Sequence, residues 1–352
     1  MIYIALFILL QNEATLYYHE GLKHLQEGNY THAIKSFKKA IKYERDNANL
    51  WYLLGASYLS IGEPESARKS LERSKELNPS NWVVLYNLGL SYKLLGDLEK
   101  AIYYIKSSLK LNPSRFEILH ELANLYLKAN RDSAKKYLHM ILQQGKDKEA
   151  YNALGTIYAS SDEFDSAVYY YKLAVEMDTT DPVSLLNFGF ALSQKGEYAK
   201  SIPVFKKVIT LDSLNQLAWF NLGVAYFHTQ KFSEAEKAFL KSTKLNPEDW
   251  RAWNNLALTY FELGKTKDAD YANKVAWHLR RKEAINTHRA LADSFYKLGK
   301  YIDALNEYKK AYELDTTDAE LAQKIESLKV KIKDWETAIR IRKVEELSLI
   351  HI

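Results

Sequence analysis

Along most of the chain, apolar residues recur at the three- and four-residue steps of an amphipathic helix, in short bursts separated by polar turns. The stretch 219–247 shows the pattern most plainly. Trp219, Leu222, Gly223 and Tyr226 fall at i, i+3, i+4 and i+7, which sets them on one face of a helix. After the turn Thr229-Gln230-Lys231, Phe232, Ala235, Phe239 and Ser242 make a second such face. Pro247 then bars further helix, since proline lacks the amide proton and clashes with the preceding turn. The stretch therefore predicts two helices joined by a tight turn. Gly223 and Ala235 are small where those helices must approach to about 8–10 Å.

The same pair recurs at a step of 34 residues. The small residue of the first helix is Gly21, Gly55, Gly89, Ala123, Gly155, Gly189, Gly223, Ala257 and Ala292 in turn. That of the second helix is Ala33, Ala67, Ala101, Ala134, Ala167, Ser201, Ala235, Ala269 and Ala304. Four positions later stands a large residue: Phe37, Leu71, Ile105, Leu138, Tyr171, Phe205, Phe239 or Tyr308, with Asn273 in its place in the eighth unit. Pro79, Pro113 and Pro247 close their units. The period, the W-x-x-L-G-x-x-Y core of 219–226 and the A-x-x-x-F core of 235–239 resemble the tetratricopeptide repeat. The resemblance covers roughly residues 14–318 as nine units. It implies an all-α fold, a right-handed superhelical solenoid of helix-turn-helix repeats whose first helices line a concave surface. Two units depart in length. The fourth (116–147) is two residues short around 130–133 and ends in Gln144-Gly145. The eighth (250–284) is one residue long and carries Arg280-Arg281-Lys282 where its terminator should stand. Irregular geometry is expected at both joints.

The flanks read differently. Residues 2–10 (IYIALFILL), within a segment 1–13, form an unbroken apolar run, too short to span a bilayer, which needs about 20 residues. The run fits the apolar core of a secretory signal but lacks a basic n-region and an A-x-A site. Two readings stay open: a signal or anchor that starts upstream, and an extension of the first helix that packs on the solenoid end. Export or membrane anchoring and a cytoplasmic location accordingly both remain. Beyond 318, Leu321, Ile325, Leu328, Ile332, Trp335 and Ile339 form one apolar stripe. Lys324, Lys329, Lys331, Lys333 and Glu336 take the other face. This predicts a helix over 319–347 that caps the open end of the last repeat, as solenoids need. An intermolecular coiled coil is the alternative, on an a/d pattern under three heptads long. The tail 348–352, ending Leu349-Ile350-His351-Ile352, is apolar and fits a chain cut from a longer one. No linker rich in Gly, Pro or Ser interrupts the repeats, so no domain boundary is expected before 318.

Composition narrows the chemistry. A single core rarely serves 352 residues, whereas a solenoid packs each repeat only on its neighbours. A net charge of +5 over this length reads as an ordinary solvated surface and not as a nucleic-acid interface. The chain has no Cys, which removes disulfides and thiolate metal sites. It has no Gly-rich phosphate loop, no G-x-S-x-G and no H-E-x-x-H. Glu117 and His120, with Glu121 beside them, make one E-x-x-H. A di-iron site needs two such motifs plus further carboxylates, so His120 reads as a surface or groove histidine. No enzyme, metal or cofactor is expected.

Candidate binding residues follow from the resemblance, which implies that positions 2, 5, 6, 9, 12 and 13 of each unit face or border the concave surface. Position 6 is Asn87 in the third unit and Asn187, Asn221 and Asn255 in the sixth to eighth. A similar ladder of asparagines in the repeat domain of O-linked N-acetylglucosamine transferase holds an extended peptide by its backbone. An amide side chain offers a donor and an acceptor, as a peptide unit requires. The same units are apolar at the neighbouring positions: Val183, Leu186 and Phe190, then Leu217, Phe220, Val224 and Phe227, then Leu258 and Phe261, with Arg251 and Asn254 at the rim. These residues predict a peptide-binding groove, the other reading being that they pack inside a tight superhelix or against the terminal helix. The fourth unit is more polar, with His120, Asn124 and Lys128. Repeat domains that clamp the acidic tail of heat-shock chaperones use Lys at position 5; here that position is never Lys, and Arg289 of the ninth unit stands beside Asp293. The function expected is a non-catalytic protein-interaction scaffold that holds a partner peptide or helix. The alternatives are an accessory part of a membrane or envelope assembly, membrane association running through residues 2–10, and a targeting module of a larger enzyme such as a glycosyltransferase.

Overall fold

The computed structural model describes the backbone of residues 2–349 and the side chains of residues 13–334 and 337. The side chains of the run 2–10 and of Trp335, Glu336 and Ile339 lie outside the described residues, as does the tail 350–352 entirely. Among the described residues every regular element is an α-helix. The chain forms two compact units, Met1–Thr179 and Thr180–Ile352. The first holds α1 (Ile2–Gln26), α2 (Tyr30–Tyr43), α3 (Ala48–Ser60), α4 (Pro64–Leu77), α5 (Trp82–Leu94), α6 (Leu98–Leu111), α7 (Phe116–Ala129), α8 (Arg131–Gln144), α9 (Lys148–Ala159) and α10 (Phe164–Met177). The second holds α11 (Pro182–Gln194), α12 (Tyr198–Leu211), α13 (Gln216–His228), α14 (Phe232–Leu245), α15 (Trp250–Glu262), α16 (Thr266–Lys297), α17 (Tyr301–Leu314) and α18 (Ala319–Leu349). Within each compact unit, consecutive helices pack in pairs, the arrangement of a tetratricopeptide solenoid.

Short polar signals set these boundaries. Asn47, Asn81, Asp147, Asp181, Asn215 and Asp249 are N-caps whose side-chain oxygens accept amide protons from the first turn of the helix that follows. The preceding helices stop at Asn78, Asn112 and Asn246, just before the prolines, where a following proline disfavours the helical backbone. Asp178, Asp212 and Asp315 adopt nearly the same cap geometry with no proline after them, so proline reinforces the stop without being required for it. Inside the pairs, the second helix puts its large residue against the small residue of the first. A Cβ added at Gly55 would come within 2.5 Å of Leu71, and one at Gly189 within 2.7 Å of Phe205.

Both joints flagged by length are irregular. In the fourth repeat a single residue, Asn130, separates α7 from α8. Its amide donates to the Tyr126 carbonyl at 2.7 Å, while its side chain accepts from the Ser133 amide at 2.8 Å. At the joint between the eighth and ninth repeats there is no turn. α16 runs unbroken for 32 residues, about 48 Å, and serves as the second helix of one repeat and the first helix of the next. Other junctions read Leu-Asn-Pro-Glu-Asp (245–249) or Leu-Asp-Ser-Leu-Asn (211–215); this one reads Leu-Arg-Arg-Lys-Glu (279–283). Arg and Lys are good helix formers, and no short polar side chain is present to cap a new start.

The cores follow this division. Residues 1–179 share one continuous cluster, from Ala33 to Ile157. Residues 180–352 contain two clusters, one around Phe205, Leu222, Phe239 and Leu256, the other around Ala292, Tyr308, Leu321, Ile325 and Leu328. In the second cluster α18 buries Leu321, Ile325 and Leu328 against α17, as the apolar stripe predicts for a capping helix.

Candidate peptide-binding face of the sixth to eighth repeats

Asn187, Asn221 and Asn255 sit on α11, α13 and α15, each half-buried and one repeat apart. The Asn221 Nδ2 donates to the Leu217 carbonyl of its own helix at 2.8 Å, and the Asn255 Nδ2 to the Arg251 carbonyl at 2.9 Å. Asn87 makes the same bond to Val83 at 2.8 Å. This bond uses one of two amide protons and fixes the side-chain plane. The second proton and the carbonyl oxygen remain, which is what one peptide unit needs.

The apolar candidates divide into two sets. Phe190, Leu217, Leu258 and Phe261 are exposed at 42, 53, 48 and 69 % respectively, and Val183 is exposed with them. Leu186, Phe220, Val224 and Phe227 are half-buried and pack on the Phe205–Leu256 core. The Phe220 ring meets Phe239 edge-on with centroids 5.9 Å apart, and Phe227 meets Phe232 at 5.4 Å. The second set packs inward and the first stands open to solvent. Arg251 is tied to the cap of its own helix, its Nε donating to Asp249 at 3.1 Å.

Asn254, Leu258 and Phe261 border a cleft of about 450 Å³ whose other wall is α16, with Thr266, Ala269, Asp270 and Asn273. Periodicity missed this second wall because it assigns second helices to the core. The signal was Asn273, which replaces the large residue that fills the corresponding space in other repeats.

In residues 1–179 a separate cleft of about 580 Å³ lies over Leu98, Leu125 and Leu127, rimmed by Lys93, Glu121, Asn124 and Lys128. Lys93 pairs with Glu121 at 2.7 Å, and His120 Nε2 lies 3.3 Å from Asp147. Burial, followed by the charges of Glu121 and Glu117, pushes the Tyr86 hydroxyl up. Among the described residues no group of three His, Cys, Asp or Glu could hold a metal ion, and no helix is long and apolar enough to cross a membrane.

Residues 127–340 match the family described as cilia and flagella-associated protein 70 C-terminal domain. Residues 21–62 match a TPR repeat, and residues 48–81 and 82–115 each match a tetratricopeptide repeat. A solved tetratricopeptide repeat protein from Parabacteroides merdae is 19 % identical over 70 % of this chain and 99 % of its own, with a TM-score of 0.50. YrrB, described as a TPR protein with an unusual peptide-binding site, is 22 % identical over 53 % of this chain and 96 % of its own, with a TM-score of 0.48. No curated protein matches the chain.

Proposed function

Because the chain belongs to the tetratricopeptide-repeat proteins, and over residues 127–340 to the family described as cilia and flagella-associated protein 70 C-terminal domain, we propose that it is a non-catalytic scaffold that binds an extended apolar segment of a partner protein on α11, α13 and α15. The observation that carries this reading is the alternation, repeat by repeat, of a half-buried asparagine with exposed apolar side chains: Asn187 with Phe190, Asn221 with Leu217, and Asn255 with Leu258 and Phe261, the amides of Asn221 and Asn255 being orientated by their own helices. Helices about 8–10 Å apart meet a strand rising about 3.3 Å per residue at every third residue. Each amide contact adds about 0.5–1.5 kcal/mol, so the apolar side chains supply much of the affinity and the amides set the register.

The test selects peptides from a random library on the intact protein and measures their affinity for Leu217→Ala/Asn221→Ala. Both side chains point away from the core cluster, so helicity should hold while affinity falls. Peptides that bind both proteins equally would remove the assignment. Phe220 is unsuitable for this purpose, since its loss would disturb Phe239.

A further inference from the structure

First helices bury a recurring triplet on the repeat before them. It is Leu50, Leu54 and Ser57 in α3, Ala218, Leu222 and Ala225 in α13, and Ala252, Leu256 and Thr259 in α15. The ninth repeat carries the same triplet around Ala292, namely Thr287, Leu291 and Ser294. All three are exposed, Leu291 at 44 %.

The surface that would receive this triplet is also open. Phe205 with Leu222, and Phe239 with Leu256, share one core across successive seams. The next such pair is Asn273 with Leu291, and both residues are exposed. Trp277 is 62 % exposed where the equivalent Thr243 is buried, and Phe261 is open where the equivalent Phe227 is half-buried. The cause is the unbroken α16, which carries donor and acceptor faces on one rod. Asn273 and Leu291 stand about 27 Å apart along it, and a straight helix cannot fold onto itself.

Charge follows the same register. Lys265 reaches Glu236 across the preceding seam at 2.7 Å. Their counterparts are Asp270, in the second turn of α16 and paired within its own helix with Lys274 at 2.6 Å, and Lys300, the N-cap of α17 three residues past the far end of α16.

We propose that the two faces meet between two copies of this chain. The Thr287-Leu291-Ser294 face of one copy docks on the α15–α16 seam of the other, Lys300 reaches Asp270, and the contact repeats reciprocally as a twofold dimer with exchanged ninth repeats. A second copy is the occupant because the chain itself bears the complementary helix face and the complementary charge. Exchange of an element along an opened connection is a low-cost route to a dimer. Asn273, in place of the usual large apolar residue, keeps the seam wettable in a free copy.

The native chain has no Cys, so Asn273→Cys/Leu291→Cys introduces one defined pair. A disulfide needs Cα atoms within about 7 Å, which one straight α16 cannot provide. Mild oxidation should give a covalent dimer, and light scattering of the unmodified chain should show a concentration-dependent dimer. Lys300→Glu should weaken that dimer several-fold at low salt, and adding Asp270→Lys should restore it. Restoring a stop with Arg280→Asn/Arg281→Pro/Glu283→Asp should turn the covalent product into an intrachain one on a monomer. A monomer at every concentration, an intrachain disulfide with the native junction, or a dimer that neither cross-links nor responds to Lys300→Glu would overturn the proposal.

Discussion

A Cβ built on Gly223 would lie 2.7 Å from the Phe239 ring, closer than carbon atoms pack. The glycine in α13 and the phenylalanine in α14 are thus one contact, 16 residues apart in sequence, and the repeat copies it as Gly21 with Phe37, Gly55 with Leu71 and Gly89 with Ile105. In the repeats with a glycine at this point, the inner seam rests on a missing side chain facing a large one.

Gly223→Ala should therefore destabilise residues 180–352 by about 1–3 kcal/mol, the range for overpacking a filled core. Gly145 makes a matched control. Its backbone is extended and no heavy atom lies within 4 Å of where a methyl group would stand, so Gly145→Ala should cost nothing. Urea melts of both variants beside the parent check this. Equal stability of the two variants would show that Phe239 moves aside without penalty.

The turn inside the seventh repeat holds Gln230 at φ +58°, where the sixth repeat has Gly196 at +86°. A side chain in the left-handed region costs about 1–2 kcal/mol, against about 0.4–1 kcal/mol of extra chain entropy for glycine. Gln230→Gly should raise stability by about 0.5–1 kcal/mol, and Gly196→Ala should lower it by a similar amount although its methyl meets open space. Amide exchange in α13 and α14, and in α11 and α12, reads each change locally.

Much of this fold was legible in the sequence because it is written nine times. The Gly-to-large contacts and the alanines of the second helices follow from the 34-residue step, and the apolar stripe of α18 from its own three- and four-residue spacing. The continuous α16 did not. The repeat frame supplies a break near residue 280, but Arg280-Arg281-Lys282 offers neither a proline to stop a helix nor a short polar side chain to cap a new one, and α16 runs through. At the candidate face, the pattern could not separate Phe220 from Phe261. Both are aromatic residues at groove positions, and packing alone separates them: Phe220 is half-buried against Phe239, while Phe261 stays open. Nor could it show that Asn221 and Asn255 each spend one amide proton on their own helix.

Asn130 is the one residue between α7 and α8: its backbone amide closes the first and its side chain alone opens the second, with no other turn residue to share the cap. Loss of a capping side chain costs about 0.5–2 kcal/mol. Asn130→Ala should fall toward the upper end of that range and Asn215→Ala, at a junction with several turn residues, toward the lower. Exchange protection in the first turn of α8 is the readout, and equal losses at the two sites would mean that the shortened turn places no extra demand on its cap.

Acid should loosen the region around α17. Glu307 lies 2.6 Å from Lys310 Nζ and 2.6 Å from His288 Nδ1, so the lysine bond, then the histidine bond, hold its carboxyl below the usual glutamate range. Asp315, at the end of α17 and bonded to Thr317, is lowered as well. A carboxylate with a depressed folded value contributes its stabilisation above the unfolded value and loses it as pH falls through the folded one. Protection in α17 and in residues 319–334 should therefore decline as pH drops below about 4.5, the ordinary glutamate value. Glu307→Gln should lower that protection at neutral pH and flatten its dependence below the ordinary range, leaving α13 and α14 unchanged. A variant with the parent's acid profile would show that the pairs with Lys310 and His288 contribute nothing to the stability of this region.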